Sequence, residues 1–313
     1  MVNLPAKAER PTMYFVGVTT GQSSIMKIFP KWAEALGIDA VIKGIDMRIH
    51  APAEDYRACV EFIKNDPLSL GALVTTHKID IYHAAKDLFD YMDPYAQMFG
   101  ELSSISKLDG KLCGHAKDPI TVGLALDAFL PENYWRDHPE AELCVLGAGG
   151  SALSVAAYVT EKKHGENIPA HIHMTNRSAP RIAEAVNVLS KSRVPLSFHL
   201  CPTPDLNDHV TEKLADGSLV INATGLGKDR PGSPLTDECV FPHNGVVWEF
   251  NYRGTLEFMH QAEAQQSSRN LLIEDGWTYF IHGWTTVIAE VFHIDITGDR
   301  LDTCEKIARG GAM

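Results

Sequence analysis

The stretch ELCVLGAGGSA, Glu142 to Ala152, decides the fold. An apolar strand at Leu143–Leu146 turns at Gly147–Gly150 and enters a helix read over Ser151–Glu161. Gly147, Gly149 and Ala152 stand in a G-x-G-x-x-A frame, with Ala148, Gly150 and Ser151 completing the turn. The first glycine permits the tight bend and the second lets backbone approach a pyrophosphate. The third small residue lets helix and strand pack closely. The helix N-terminus offers unpaired N–H groups and the positive end of its dipole to phosphate. A bare glycine frame is weak evidence because such turns are common. Here strand, helix and a following strand are all in place, so the stretch predicts a dinucleotide site on a Rossmann-type unit.

The next strand ends in HMTNRS. An NAD-selective site places an acidic residue there to bind the ribose hydroxyls. This chain offers Asn176, Arg177 and Ser178, with Arg181 one turn on if Ala179 onward is helical. A guanidinium among polar groups suits a 2′-phosphate, which arginine grips bidentately. The expected cofactor is therefore NADP, with NAD as the alternative. The bland reading is a solvated arginine at a strand end. His171 and His173 alternate on one strand face, but no third ligand stands at a suitable spacing, so no metal site is expected.

Outward from this turn, strand-like runs alternate with helical patterns, which is the signature of an α/β protein. Upstream come strand Tyr14–Val18, helix Ile25–Leu36, strand Ala40–Ile45, helix Ala53–Ile63 and strand Gly71–Val74. Helical material follows to Met98, then short strands near Leu102–Ile105 and Lys111–Cys113. These are read as parallel strands with helices on both faces. Downstream strands fall near His171–Met174, Pro195–Leu200, Leu219–Ile221 and Val246–Phe250. The polar, proline-bearing PENYWRDHPE (Pro131–Glu140) reads as a connection, so the break between two lobes is placed between Asp118 and Glu142. The expected division is 1–120 for an N-terminal α/β lobe, completed by about 277–313, and 121–276 for the Rossmann lobe.

With 45% hydrophobic and 22% charged residues over 313 positions, the chain is an ordinary globular protein with ample core. A net charge of -12 argues against nucleic acid as partner, because such binding needs a basic footprint. The six cysteines are scattered with no C-x-x-C pair, which favours reduced, buried thiols. No apolar run is long enough to span a bilayer and the N-terminus carries no secretory h-region, so a cytoplasmic location is expected.

Several local patterns then fall into one order, and the chain resembles the shikimate/quinate dehydrogenase family. GALVTTHK (Gly71–Lys78) resembles the strand and loop that deliver the family's lysine, here Lys78. GELSSI (Gly100–Ile105) resembles its GAVNT segment, and GHAKD (Gly114–Asp118) its GxNTD, ending at Asp118. INATGLG (Ile221–Gly227) resembles NATxxG, which brings in Thr224 and Gly225. EFNY (Glu249–Tyr252) resembles DxxY, and EDGWTYFIHGW the start of the closing helix, with Gly276 near the nicotinamide. The resemblance implies a two-lobed fold with a cleft and metal-free hydride transfer between NAD(P) and a ring hydroxyl or ketone, as in aromatic amino acid biosynthesis. It implies Lys78 and Asp118 as the catalytic pair. Ser23, Ser24, Thr75, Ser103, Tyr252 and His282 are implied on the substrate side. Taken alone, either catalytic candidate reads first as a plain surface charge, and Asp118 before Pro119 equally suits a helix N-cap.

Departures gather in the substrate half. The family's paired serines meet GQSSIM, which leaves Ser23 at the first position and Ile25 at the second. Ser103 and Ala116 stand where the family has asparagines, and Gly283, beside His282, stands where it has glutamine. The lysine loop is one residue short of VTxPxK. Lost hydrogen-bonding groups shift substrate preference by orders of magnitude. The expected partner is therefore a small hydroxylated ring acid or cyclic polyol, with shikimate and quinate only two of the options. A homodimer is allowed. Two rivals stay open: a related NADP enzyme acting on a one-carbon carrier, and a dinucleotide-binding sensor without turnover.

Overall fold

A computed structural model describes residues 2–228 and 230–310. The chain divides into two compact units, Met1–Lys117 with Ile281–Met313, and Asp118–Phe280.

The first unit opens with β1 (Thr12–Gly17), α1 (Ile25–Leu36), β2 (Val41–Asp46), α2 (Ala53–Asn65), β3 (Ser69–Val74) and α3 (Lys78–Ala85). It continues with β4 (Tyr91–Met92), α4 (Pro94–Phe99), β5 (Ser104–Leu108) and β6 (Lys111–His115). Helix α1 forms because Ile25, Ile28, Phe29, Trp32 and Ala33 recur at helical spacing and bury one stripe. It ends at Gly37, whose φ of 71° lets the chain turn left-handed while its N–H caps the carbonyls of Ala33 and Glu34. Burial of each such large side chain contributes about 1.5–3 kcal/mol. The buried Trp32 indole also donates to the Cys304 carbonyl at 2.8 Å.

The sheet of this unit runs β2-β1-β3-β5-β6-β4. The expectation of parallel strands holds for β1 with β2 and β3, and fails for β5 and β6. β5 runs antiparallel to both β3 and β6. The cause is local: Asp109 and Gly110, with φ of 50° and 76°, form a two-residue turn of the kind that joins antiparallel strands.

The second unit contains α5 (Asp118–Phe129), α6 (Tyr134–Asp137), β7 (Leu143–Leu146), α7 (Gly150–Val159), β8 (Ile172–Asn176), α8 (Ala179–Val188) and β9 (Leu196–Leu200). Then come α9 (Pro204–Thr211), β10 (Leu219–Asn222), β11 (Val246–Glu249), α10 (Glu257–Arg269) and β12 (Leu272–Glu274). Helices α11 (Trp277–Phe292) and α12 (Asp299–Gly310) close the chain. The sheet order is β12-β11-β10-β7-β8-β9, and every pair in it is parallel. Counted from β7, this is the doubly wound order 3-2-1-4-5-6, which reverses direction between β7 and β10. All four residues of β7 and all four of β10 are buried, as central strands covered on both faces must be. Among the described residues no helix is long and apolar enough to cross a membrane.

Candidate functional site

Ligands of doubly wound sheets bind at the carboxyl ends of the strands where the order reverses. In the second unit that point is flanked by the loops following β7 and β10. Gly147 has a φ of 123°, and a Cβ there would stand 2.8 Å from the Ala223 carbonyl oxygen, so the two loops touch and only glycine fits. Gly149 is the N-cap of α7 with ordinary extended backbone, and a Cβ on it would meet nothing within 4 Å. The first glycine is required by protein packing. The second faces open space. No side chain caps α7, and its first turn carries no acidic residue, so the N–H groups at Gly150, Ser151 and Ala152 suit a diphosphate.

At the end of β8 the Asn176 side chain accepts from the Ser178 N–H at 2.9 Å, which fixes the NRS turn. Arg177 is exposed, while Arg181 pairs with Glu184 at 2.6 Å. After β10, Thr224 is exposed and Gly225 has a φ of 75°. A Cβ on Gly276 would lie 2.4 Å from the Phe250 carbonyl, so the loops after β11 and β12 approach closely. The Tyr252 ring packs against Phe280 and Trp277, with centroids 4.3 and 5.1 Å away.

The nearby histidines satisfy one another. His173 bonds to His199 at 3.0 Å and to Glu142 at 3.3 Å, and His171 bonds to Ser197 at 2.8 Å. Among the described residues no group of three or more His, Cys, Asp and Glu side chains could hold a metal ion.

In the first unit Lys78 is the first residue of α3, four positions past the end of β3. The connection is tight. Thr75 donates to the Val16 carbonyl at 3.0 Å, Thr76 has a φ of 59°, and the His77 N–H reaches the Thr75 carbonyl at 2.5 Å. His77 is fully buried, and burial pushes its pKa down, so the ring is neutral. Its Nδ1 meets the Tyr56 hydroxyl at 3.0 Å, which also reaches Asp80 at 3.2 Å. The loop is thus held from below by α2.

The Leu102 N–H donates to the Lys78 carbonyl at 3.1 Å and the Val74 N–H to the Ser103 carbonyl at 2.9 Å. Thr75, Lys78 and Ser103 are therefore brought together. The Ser103 hydroxyl accepts from the Lys117 N–H at 2.7 Å and reaches the His115 carbonyl at 3.4 Å. That hydroxyl holds the turn leading to Asp118. Ser23 and Ser24 follow a turn anchored where Thr20 donates twice to Asp46, at 2.8 and 2.6 Å. Ser24 is the N-cap of α1 without a side-chain bond. His282, on α11, is buried, and burial pushes its pKa down. Asp118 opens α5, largely buried, followed by Pro119.

Two clusters escaped the sequence reading. His115 bonds to Glu290 at 3.1 Å, and Lys117 bonds to the same carboxylate at 2.6 Å. The bond from His115, with that from Lys117, holds Glu290 down at about 2. Glu249 and Asn222, at the ends of β11 and β10, are both fully buried. Both residues of the second cluster stand in stretches quoted above, Ile221–Gly227 and Glu249–Tyr252, but nothing local pairs them. Nothing local marks Glu290 on its helix.

No family model matches the chain. It is 28% identical over 167 residues to the shikimate dehydrogenase (NADP(+)) of Streptococcus thermophilus, covering 52% of this chain and 53% of that one. The chain thus spans about half the length of this relative. Among solved structures it is similar to the shikimate 5-dehydrogenase of Thermus thermophilus in complex with NADP(H) and shikimate. There the TM-score is 0.71 at 20% identity, covering 96% of this chain and 99% of that one. The ligand-free 5-ketofructose reductase of a Gluconobacter species shares the fold, with a TM-score of 0.66 at 17% identity over 96% of this chain and 99% of that one. In sequence the chain is thus similar to shikimate dehydrogenases over about half its length, and in fold over nearly all of it.

Proposed function

We propose that the chain is an NADP-dependent oxidoreductase of the shikimate dehydrogenase type. Its substrate side would take shikimate, quinate or a related hydroxylated ring acid or cyclic polyol. The observation that carries this reading is the uncapped glycine turn of α7, placed at the reversal point of a 3-2-1-4-5-6 sheet. The relatives named for NADP and shikimate support it, and a neighbour named for 5-ketofructose keeps sugars in view.

NADP, when bound, supplies the hydride acceptor or donor. The backbone of Gly147–Ala152 would hold the diphosphate, and Asn176, Arg177 and Ser178 the 2′-phosphate, with Arg181 recruited only by leaving Glu184. Thr224, Gly225 and Gly276 would line the remainder of the dinucleotide. Lys78 would exchange the proton of the substrate hydroxyl and steady the developing alkoxide. Asp118 would accept a hydrogen bond from the same hydroxyl and fix its direction. Ser23, Ser24, Thr75, Tyr252 and His282 would contact the rest of the substrate. Ser103 supports the site by holding the Lys117 N–H.

The test is NADP and NAD reduction against shikimate, quinate, cyclic polyols and sugar acids, run beside Lys78→Ala. Loss of proton transfer lowers turnover by about 10²–10⁴-fold in that variant, while NADPH affinity stays the same. Equal turnover in both proteins contradicts the role of Lys78. NADPH binding without turnover on any compound supports the sensor instead.

A further inference from the structure

Three polar side chains lie buried together at the carboxyl ends of β10 and β11: Asn222, Glu249 and Asn251, with 0%, 0% and 4% exposure. Glu249 accepts from the Asn222 amide through Oε2 at 2.8 Å and from the Asn251 backbone N–H through Oε1 at 2.8 Å. The Asn222 carbonyl oxygen in turn accepts from the Thr224 backbone N–H at 3.1 Å and from the Thr224 hydroxyl at 2.7 Å. Further along the loop, Leu226 donates to the Thr224 hydroxyl at 3.1 Å, and its carbonyl accepts from Asn251 Nδ2 at 2.9 Å. Every bond in this set runs back to the one carboxylate.

The chemistry of the pair is specific. Both Glu249 oxygens accept, and the Leu226 carbonyl accepts from the same Asn222 amide at 3.3 Å, so Asn222 presents its NH2 group inward. That leaves the amide oxygen facing outward, where it receives both donors of Thr224. The loop so held carries Ala223, whose carbonyl abuts Gly147, and Gly225, whose φ of 75° only a defined turn provides. Glu249 is hydrogen-bonded to Asn222 and Asn251, neither of which is assigned above to the diphosphate or the 2′-phosphate.

We propose that Glu249 is a positioning residue for the dinucleotide: through Asn222 it sets the Thr224–Gly225 loop that forms the β10 side of the site. The inference rests on the NADP reading above. It assigns the β10 loop to the nicotinamide half of the cofactor, since the adenosine half belongs to the turn after β8.

The experiment titrates NADPH and the fragment 2′,5′-ADP against the full-length wild type, Glu249→Gln and Asn222→Ala, with thermal melts in parallel. Glutamine turns one acceptor into a donor facing a donor, so NADPH binding weakens by about tenfold or more. The fragment, held at the turn after β8, stays within about twofold of wild type. The double variant Glu249→Gln/Asn222→Ala is no weaker than either single one, because both act through one path. Unchanged NADPH affinity in a folded Glu249→Gln protein overturns the proposal and leaves the NADP reading intact. Equal weakening of NADPH and 2′,5′-ADP, or additive losses in the double variant, overturns it as well. If Glu249→Gln does not fold, the same comparison on Asn222→Ala decides. Wild type that binds neither ligand overturns the NADP reading itself.

Discussion

Gly147 and Gly149 stand two positions apart in one motif and are required for opposite reasons. A side chain on the first would strike the Ala223 carbonyl at a φ of 123°, so Gly147→Ala destabilises the fold by about 1–3 kcal/mol, read as a fall in the urea midpoint. A side chain on the second meets open space, and serine suits the N-cap of α7. Gly149→Ser therefore keeps the melting temperature while weakening NADPH at least about tenfold, because its side chain fills the space proposed for the diphosphate. Glu249 sets a pH dependence. Burial pushes its carboxyl from the ordinary 4.5 up to about 7, against the bonds from Asn251 and Asn222 and the attraction of Lys228. A raised acid stabilises the fold fully below pH 4.5 and loses that contribution as pH rises through 7. The loss is about 3 kcal/mol, at 1.36 kcal/mol per unit. Stability curves measured from pH 4 to 8 therefore decline less in Glu249→Gln than in wild type. Identical slopes would remove Glu249 as their source. The glycine frame could be read from the chain. The role of Glu249 could not, because its partner Asn222 lies 27 positions away.

At the scale of elements, β7 and α1 form as their patterns foretell: four continuous apolar residues for a central strand, and a stripe of five apolar residues for a half-buried helix. Strand direction in the first sheet departs from the parallel expectation at β5. The Lys-Leu-Asp-Gly-Lys-Leu stretch carries a strong hairpin signal at Asp109–Gly110, which outweighs the surrounding strand–helix alternation. Valine at 110 must adopt a φ near the observed 76°, so Gly110→Val lowers stability by at least about 1 kcal/mol. Because the turn lies between β5 and β6, NADPH affinity in that variant is unchanged; an unaltered urea midpoint contradicts the turn. Strand β12 escaped notice because three residues, Leu272–Glu274, carry no period of their own and are strand only by pairing with β11. After the strand and loop that deliver Lys78, the left-handed Thr76 and the buried His77 turn the chain so that Lys78 begins a helix.

At the scale of the whole molecule, a ligand that binds only the folded state stabilises it by mass action. NADPH at 100 times its dissociation constant adds about 2.7 kcal/mol to the unit that holds it. The melting midpoint of the transition that includes residues 118–280 therefore rises by several degrees with NADPH, and by less with NAD at the same concentration. Equal shifts with both would remove the role proposed for Arg177 in choosing NADP. The sequence by itself determined the α/β class, the glycine turn and most strand and helix positions, because these rest on neighbours within one turn or one strand. Tertiary structure alone decided the strand order, the antiparallel β5, the supporting role of Ser103 and the lattice rooted in Glu249. Each of these depends on burial and hydrogen bonding between groups far apart in the chain, and desolvation belongs to a surrounding rather than to a residue.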